Sequence, residues 1–203
     1  NNLNIYISPI DIPAIADIDY DGDLDILTFS ILGGFVEYHK NMAIELTGSC
    51  DTVAFEFSES CWGLFYEGLN SYILNCPNCQ CPQVADPNNS NAKEKHAGST
   101  LLAIDIDNDN DLDLYVTSGG YEVESNSKLL QDRVYINNGK GHYKKGILPT
   151  MLTNTKGIAF SDFDKDGDLD VFVGSRVKHG QYPLSDKPYF LENKKGKYTN
   201  VID

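Results

Sequence analysis

"DIDYDGDLDILTF", residues 17–29, places an aspartate on every second position from Asp17 to Asp25 and then turns apolar. Five carboxylates this close repel one another, and the stretch holds no base to answer them. A positive partner outside the run makes it tolerable. The residues that follow are β-branched and aromatic, the composition of a strand.

The run recurs twice, as "AIDIDNDNDLDLYVTS" at 103–118 and "AFSDFDKDGDLDVFVGS" at 159–175. Numbered from the first aspartate, positions 1, 3, 5, 7 and 9 are Asp17, Asp19, Asp21, Asp23 and Asp25 in the first copy. They are Asp105, Asp107, Asp109, Asp111 and Asp113 in the second, and Asp162, Asp164, Asp166, Asp168 and Asp170 in the third. These runs hold 15 of the 30 acidic residues, so the net charge of −14 is concentrated in them. A second element repeats as well. "RVYINNGKGHYKK" (133–145) matches "PYFLENKKGKYTN" (188–200), a strand-like run, a turn rich in Asn, Gly and Lys, and a strand with tyrosine. Such turns supply positive φ cheaply and predict β-hairpins.

The second and third acidic runs lie 57 positions apart and the two hairpins 55 apart. A period of about four short strands is one β-propeller blade. The sequence thus predicts an all-β fold of four-stranded antiparallel sheets, a partial propeller of about three blades. The first two runs lie 88 apart, and the excess coincides with a cysteine-rich stretch. The expected division is a first blade at 1–46, incomplete at its N-terminus, an insertion at 47–98, a second blade at 99–150 and a third at 151–203. The third is expected to continue into a longer parent, because an open arc of stacked repeats leaves sheet faces bare.

Side-chain oxygens at positions 1, 3, 5 and 9, with the carbonyl at 7, wrap a loop around a hard cation. Ca2+ takes six to eight oxygens in flexible geometry, and position 6 must turn sharply. Gly22 and Gly167 stand there, and Asn110 in the second copy is the next best residue for a left-handed turn. About three calcium sites are expected, with the carboxylates of Asp23, Asp111 and Asp168 free to face solvent. An EF-hand is excluded, since it needs a bidentate Glu at position 12 and then a helix. Position 12 is Thr28, Val116 and Val173, each within a strand-like run.

Cys50, Cys61, Cys76, Cys79 and Cys81 fall within 32 positions, and the rest of the chain has none. Five allow at most two disulfides. A zinc knuckle in "CPNCQC" lacks a second separated ligand pair, so a disulfide-stapled surface insertion in an exported protein is the preferred reading. Thr52 in "DTV" and Asn88 in "NNS" are candidate glycosylation sites. The acidic balance argues against nucleic acid. No stretch is long and apolar enough for a membrane span, and no signal peptide is read at the start. The four histidines form no ligand pair, and Ser99 and Ser118 lie outside any nucleophile elbow. Trp62, Phe65 and Tyr66 read as a small core beside a disulfide in preference to a sugar-stacking platform.

The acidic runs resemble the FG-GAP/VCBS repeat family, whose D-x-D-x-D-G-x-x-D loops lie between blade strands, as in integrin α-subunit heads. The resemblance implies Ca2+ ligation by the aspartates named above, with Asn110 a departure from the family glycine. "QDRVYINNGKGHY" through "DFDKDGDLDVFVGSRV" is also similar to ASPIC/UnbV-associated repeats. "PAIADIDYDGDLDILTF", "CWG" and "HAGSTLLAIDID" look like exported proteins of Bacteroidota. What the resemblance implies is a non-enzymatic, secreted or cell-surface module of a Gram-negative bacterium. It would serve adhesion, extracellular fibre building, or binding of a glycan, a protein or copies of itself. The alternative is the propeller of a polysaccharide-active enzyme such as a lyase.

Overall fold

The structure is a computed structural model that describes residues 4–9, 11–31, 34–68, 72–76, 100–118, 124–178 and 180–202. Three four-stranded antiparallel sheets, each a simple meander, carry almost all of the regular structure, so the fold is a partial propeller of three blades. The first sheet runs β1 (Ala14–Ala16), β2 (Asp25–Phe29), β3 (Val36–Asn41) and β4 (Phe55–Glu59), with a short helix α1 (Ala43–Thr47) between β3 and β4. A small pair, β5 (Tyr66–Glu67) and β6 (Tyr72–Ile73), follows. The second sheet is β7 (Leu101–Ile104), β8 (Asp113–Val116), β9 (Arg133–Asn137) and β10 (Tyr143–Lys145). The third is β11 (Thr155–Ser161), β12 (Asp170–Ser175), β13 (Tyr189–Lys194) and β14 (Lys197–Asn200).

Each acidic run joins the first strand of a sheet to the second, and the pairing is in the same register each time. Ala16 faces Asp25, Ile104 faces Asp113, and Ser161 faces Asp170. The carboxylates therefore leave the sheet at one fixed point, the turn of the innermost hairpin. A strand, and no helix, follows each loop.

The sheets pack face to face around two cores. Leu27, Phe29, Val36 and Tyr38 of the first sheet meet Leu101, Leu114, Val116 and Tyr135 of the second. The opposite face of the second sheet, with Tyr115, Val134 and Ile136, meets Val171, Val173 and Leu191 of the third. Side chains alternate faces along a strand, so a strand covered on both sides is buried at every position. All four residues of β8 are buried, its first, Asp113, included.

β4 lies at 55–59, within the stretch expected to be a surface insertion, and it completes the first sheet. The chain then buries Phe65 completely between the first two sheets, stacked on Tyr135 at 5.1 Å between ring centroids. Glu67, also fully buried, pairs with the Arg133 guanidinium and accepts the Tyr135 hydroxyl. Trp62 lies 5.5 Å from Tyr143 and packs against this same main core, not in a small separate core beside a disulfide as expected. The stretch thus serves as core as well as surface, because its aromatic residues fill the wedge between two splayed blades. Cys50 is an exposed thiol and Cys61 a buried one, so neither staples the stretch. Cys76 is buried, while Cys79, Cys81 and Asn88 lie outside the described residues. Thr52 is exposed.

Candidate metal centres

The three loops share one set of backbone bonds, to which the third adds Asp166 N–H to Asp164 Oδ1 at 3.2 Å. The position-1 carboxylate accepts two backbone N–H groups, from positions 5 and 6. Asp17 accepts from Asp21 and Gly22, Asp105 from Asp109 and Asn110, and Asp162 from Asp166 and Gly167, all at 3.0–3.1 Å. The position-5 carboxylate accepts from position 7: Asp21 from Asp23, Asp109 from Asp111, and Asp166 from Asp168. Two left-handed residues bend each loop. Position 4 is Tyr20, Asn108 and Lys165, with φ of 61°, 60° and 64°. Position 6 is Gly22, Asn110 and Gly167, with φ of 102°, 68° and 96°. Asparagine tolerates this conformation, which is why the second loop keeps the geometry without the glycine.

Position 9 anchors the loop to its sheet. Asp25, Asp113 and Asp170 are buried, and each accepts the N–H of position 2, from Ile18, Ile106 and Phe163. Each also accepts an N–H from the end of the third strand, from Asn41, Asn137 and Asn193 at 2.7–2.8 Å. This recurring asparagine is a functional position that the sequence reading passed over, although it repeats in "YHKN", "YINN" and "FLEN". Asn137 and Asn193 also donate from their side chains to the carbonyls of Leu112 and Leu169, within the loops themselves.

The oxygens converge at positions 1, 3 and 9. Within each of Asp17–Asp19–Asp25, Asp105–Asp107–Asp113 and Asp162–Asp164–Asp170, one ligand atom per residue lies within 4.8 Å of the others. A fourth cluster joins Asp19 and Asp21 to Glu45 of α1. The position-7 carboxylates turn the other way. Asp23 accepts the Ile44 N–H at 3.0 Å and Asp168 the Lys195 N–H at 2.7 Å, while Asp111 lies where a side chain on Gly139 would clash with it. Asp23 and Asp168 tie their loops to neighbouring segments.

Crowding of acids in partly dry surroundings penalises ionisation. Burial pushes Asp113 up to about 6 and also raises Asp25. Asp107 is raised by burial and then by the Asp109 charge, and Asp164 is raised by the same first cause. Asp21 is lowered, first by the Asp23 N–H bond and further by Lys40. In the first loop Asp21 Oδ2 is buried 3.4 Å from the Lys40 ammonium. All-oxygen donors and raised carboxyls at the converging positions fit a hard divalent cation, whose charge would reverse the penalty.

Outside the loops, Asp132 is buried and accepts from Ser118 N at 2.7 Å, Tyr115 Oη at 3.0 Å and Thr155 Oγ1 at 3.0 Å. Burial pushes its carboxyl up to about 7. Neither it nor Glu67 stood out in the sequence, since a lone acid carries no pattern. His39 packs on Phe57 and His142 meets Asn75, whereas His96, His179 and Ser99 fall outside the described residues. A cleft of about 380 Å³ opens between the first loop, Trp62 and the β9–β10 turn, lined in part by Tyr20, Glu59, Trp62, Asp111 and Lys140.

Stacked four-stranded meanders with an acidic turn in each inner hairpin define a propeller-type repeat domain whose acidic clusters could hold metal ions. Residues 105–173, from the second loop through the third and into β12, match the FG-GAP-like repeat family, and that part of the chain is similar to such a repeat. No curated protein matches the chain. Among the described residues no helix is long and apolar enough to cross a membrane.

Proposed function

We propose that the chain is a calcium-stabilised propeller segment of a secreted or cell-surface protein of Gram-negative, Bacteroidota type, non-enzymatic, serving adhesion, extracellular fibre building or binding of a glycan or protein. The observation that carries the calcium reading is the threefold shared wiring, which brings oxygens of positions 1, 3 and 9 to one point in every loop. Ca2+ there would be structural, fixing the inner hairpin of each blade. Extracellular calcium modules bind at roughly 10⁻⁴–10⁻³ M, so each site adds about 1 kcal/mol at millimolar Ca2+. Melting the chain with Ca2+ and with EDTA tests this. A lower Tm in EDTA, reproduced by Asp164→Ala in Ca2+, is expected, and identical melting curves would refute it.

The assignment outside the cell rests on the cluster of five cysteines within 32 positions, a pattern that suits disulfides in an oxidising compartment. The non-enzymatic reading rests on the buried acids beyond the loops, Asp132 and Glu67, whose oxygens are spent on Ser118, Tyr115, Thr155, Arg133 and Tyr135. Glycan-array binding with product analysis separates a binder from a lyase, and released unsaturated sugar would overturn the reading. The outer face of the third sheet, with Phe172 43% exposed, would be covered in the working protein by a further blade of a longer parent or a neighbouring copy. A compact, monodisperse monomer of the isolated chain in Ca2+ would contradict that cover.

A further inference from the structure

We propose that Lys40 is a built-in competitor for the cation of the first loop, so that the three loops fill in two stages; the proposal rests on the calcium reading above. The repeats align through Asn41, Asn137 and Asn193, whose N–H groups hold the position-9 carboxylates. The residue just before each is Lys40, Ile136 and Glu192. A cation, a neutral side chain and an anion thus occupy one place in the repeat, beside loops that share one wiring.

The Lys40 ammonium pairs with Asp19 and Glu45 and stands 3.4 Å from Asp21 Oδ2. Its three partners are the fourth acidic cluster, which has no counterpart at the other loops among the described residues. Glu45 reaches the loop because α1 is tied there, the Ile44 N–H donating to Asp23 Oδ2 at 3.0 Å. Among the described residues no lysine or arginine forms an ion pair with an aspartate of the second or third loop. Lys194 pairs with Glu192 at 3.0 Å and acts on Asp164 and Asp166 only through its field, as Lys144 does on Asp107.

Asp19 belongs to both sets, the converging trio with Asp17 and Asp25 and the lysine's own. A divalent ion entering the first loop must take Asp19 from the ammonium or sit beside a like charge. Both weaken binding relative to the other loops. Without metal, the same ammonium holds Asp19 and Asp21 together, so the first loop keeps its shape while the other two rely on the ion. Glu45 gives the displaced lysine a place to go.

Calorimetric titration of Ca2+ into the 203-residue chain tests this. The wild type should show two tighter sites and a third weaker by about tenfold or more, each tenfold being about 1.4 kcal/mol. Lys40→Gln should tighten the third site by about tenfold, and Lys40→Arg, which keeps the charge, should leave it weak. Glu45→Gln, which removes the lysine's alternative partner, should weaken it a few-fold further. In an Asp107→Ala/Asp164→Ala background the surviving site should be the weak one, and Lys40→Gln should tighten it. Three equal sites in the wild type, unchanged by Lys40→Gln, would overturn the lysine proposal and leave the calcium reading standing. Absence of Ca2+ binding in every variant would overturn the calcium reading and this proposal with it.

Discussion

The second and third sheets share strand order, loop wiring and register, yet they live in different surroundings. Leu102, Tyr115 and Val134 of the second sheet correspond to Ala159, Phe172 and Phe190 of the third. In the second sheet that face is closed by Val171, Val173 and Leu191 of its neighbour. In the third it leaves Phe172 and Phe163 each 43% exposed, with Phe163 set edge-on to Phe190 at 4.4 Å. One face is core and its twin is surface, although both are apolar. In a stacked repeat, a sheet's composition reports the neighbour it is built for, and only packing reveals whether that neighbour is present.

The contrast can be attacked first with paired truncations. Leu114→Ala, at a fully buried position of the central sheet, should lower unfolding free energy by about 2–5 kcal/mol in denaturant titrations. Phe172→Ala in the isolated chain should cost less than about 1 kcal/mol, and an equal loss at the two positions would mean that the outer face is already covered in solution.

A second probe acts at the seam between these sheets. Asp132 joins Tyr115 and Ser118 to Thr155 of β11, whereas the corresponding position in the third repeat is Pro188. Its carboxyl titrates near 7 in the fold and near 3.9 unfolded. The native state therefore holds the proton more tightly. Stability from this group is fully present below about pH 4 and is lost as pH rises toward 7, on the order of 4 kcal/mol. Stability measured across that range should fall in the parent chain, and Asp132→Asn should flatten the slope.

Calcium should not distinguish the two sheets, because their loops are alike. Asp107→Ala and Asp164→Ala should each remove about 1 kcal/mol of Ca2+-dependent stability, or about 2–4 °C in Tm for a chain this size. Losses that differ widely between them would show that the surrounding sheet, and not the loop, sets the site.

The repeat was legible because it is local. Five aspartates at alternate positions, a left-handed residue at position 6 and a strand directly after are consecutive in the chain, and they led to blades and to loop placement. Asp109 and Asp166 at position 5, also expected as ligands, stand outside the converging trios of their loops. The membership of β4 in the first sheet was not legible, since "FEFSE" has no counterpart by spacing once an insertion intervenes. The burial of Phe65 and Glu67 was equally hidden, because both are buried by residues some 70 positions away, Tyr135 and Arg133. The roles of Asp23 and Asp168 as ties to Ile44 and Lys195 depended on where distant turns come to rest.

Sequence alone determined the unit: its length, its acidic turn, its strands and the oxygen chemistry of its loops, since backbone conformation and ligand type are set by neighbours along the chain. The tertiary structure decided which faces are covered, that Lys40 meets the first loop and that Asp132 lies dry between blades. Burial and charge pairing are properties of what folds against a residue, and no residue carries that information by itself.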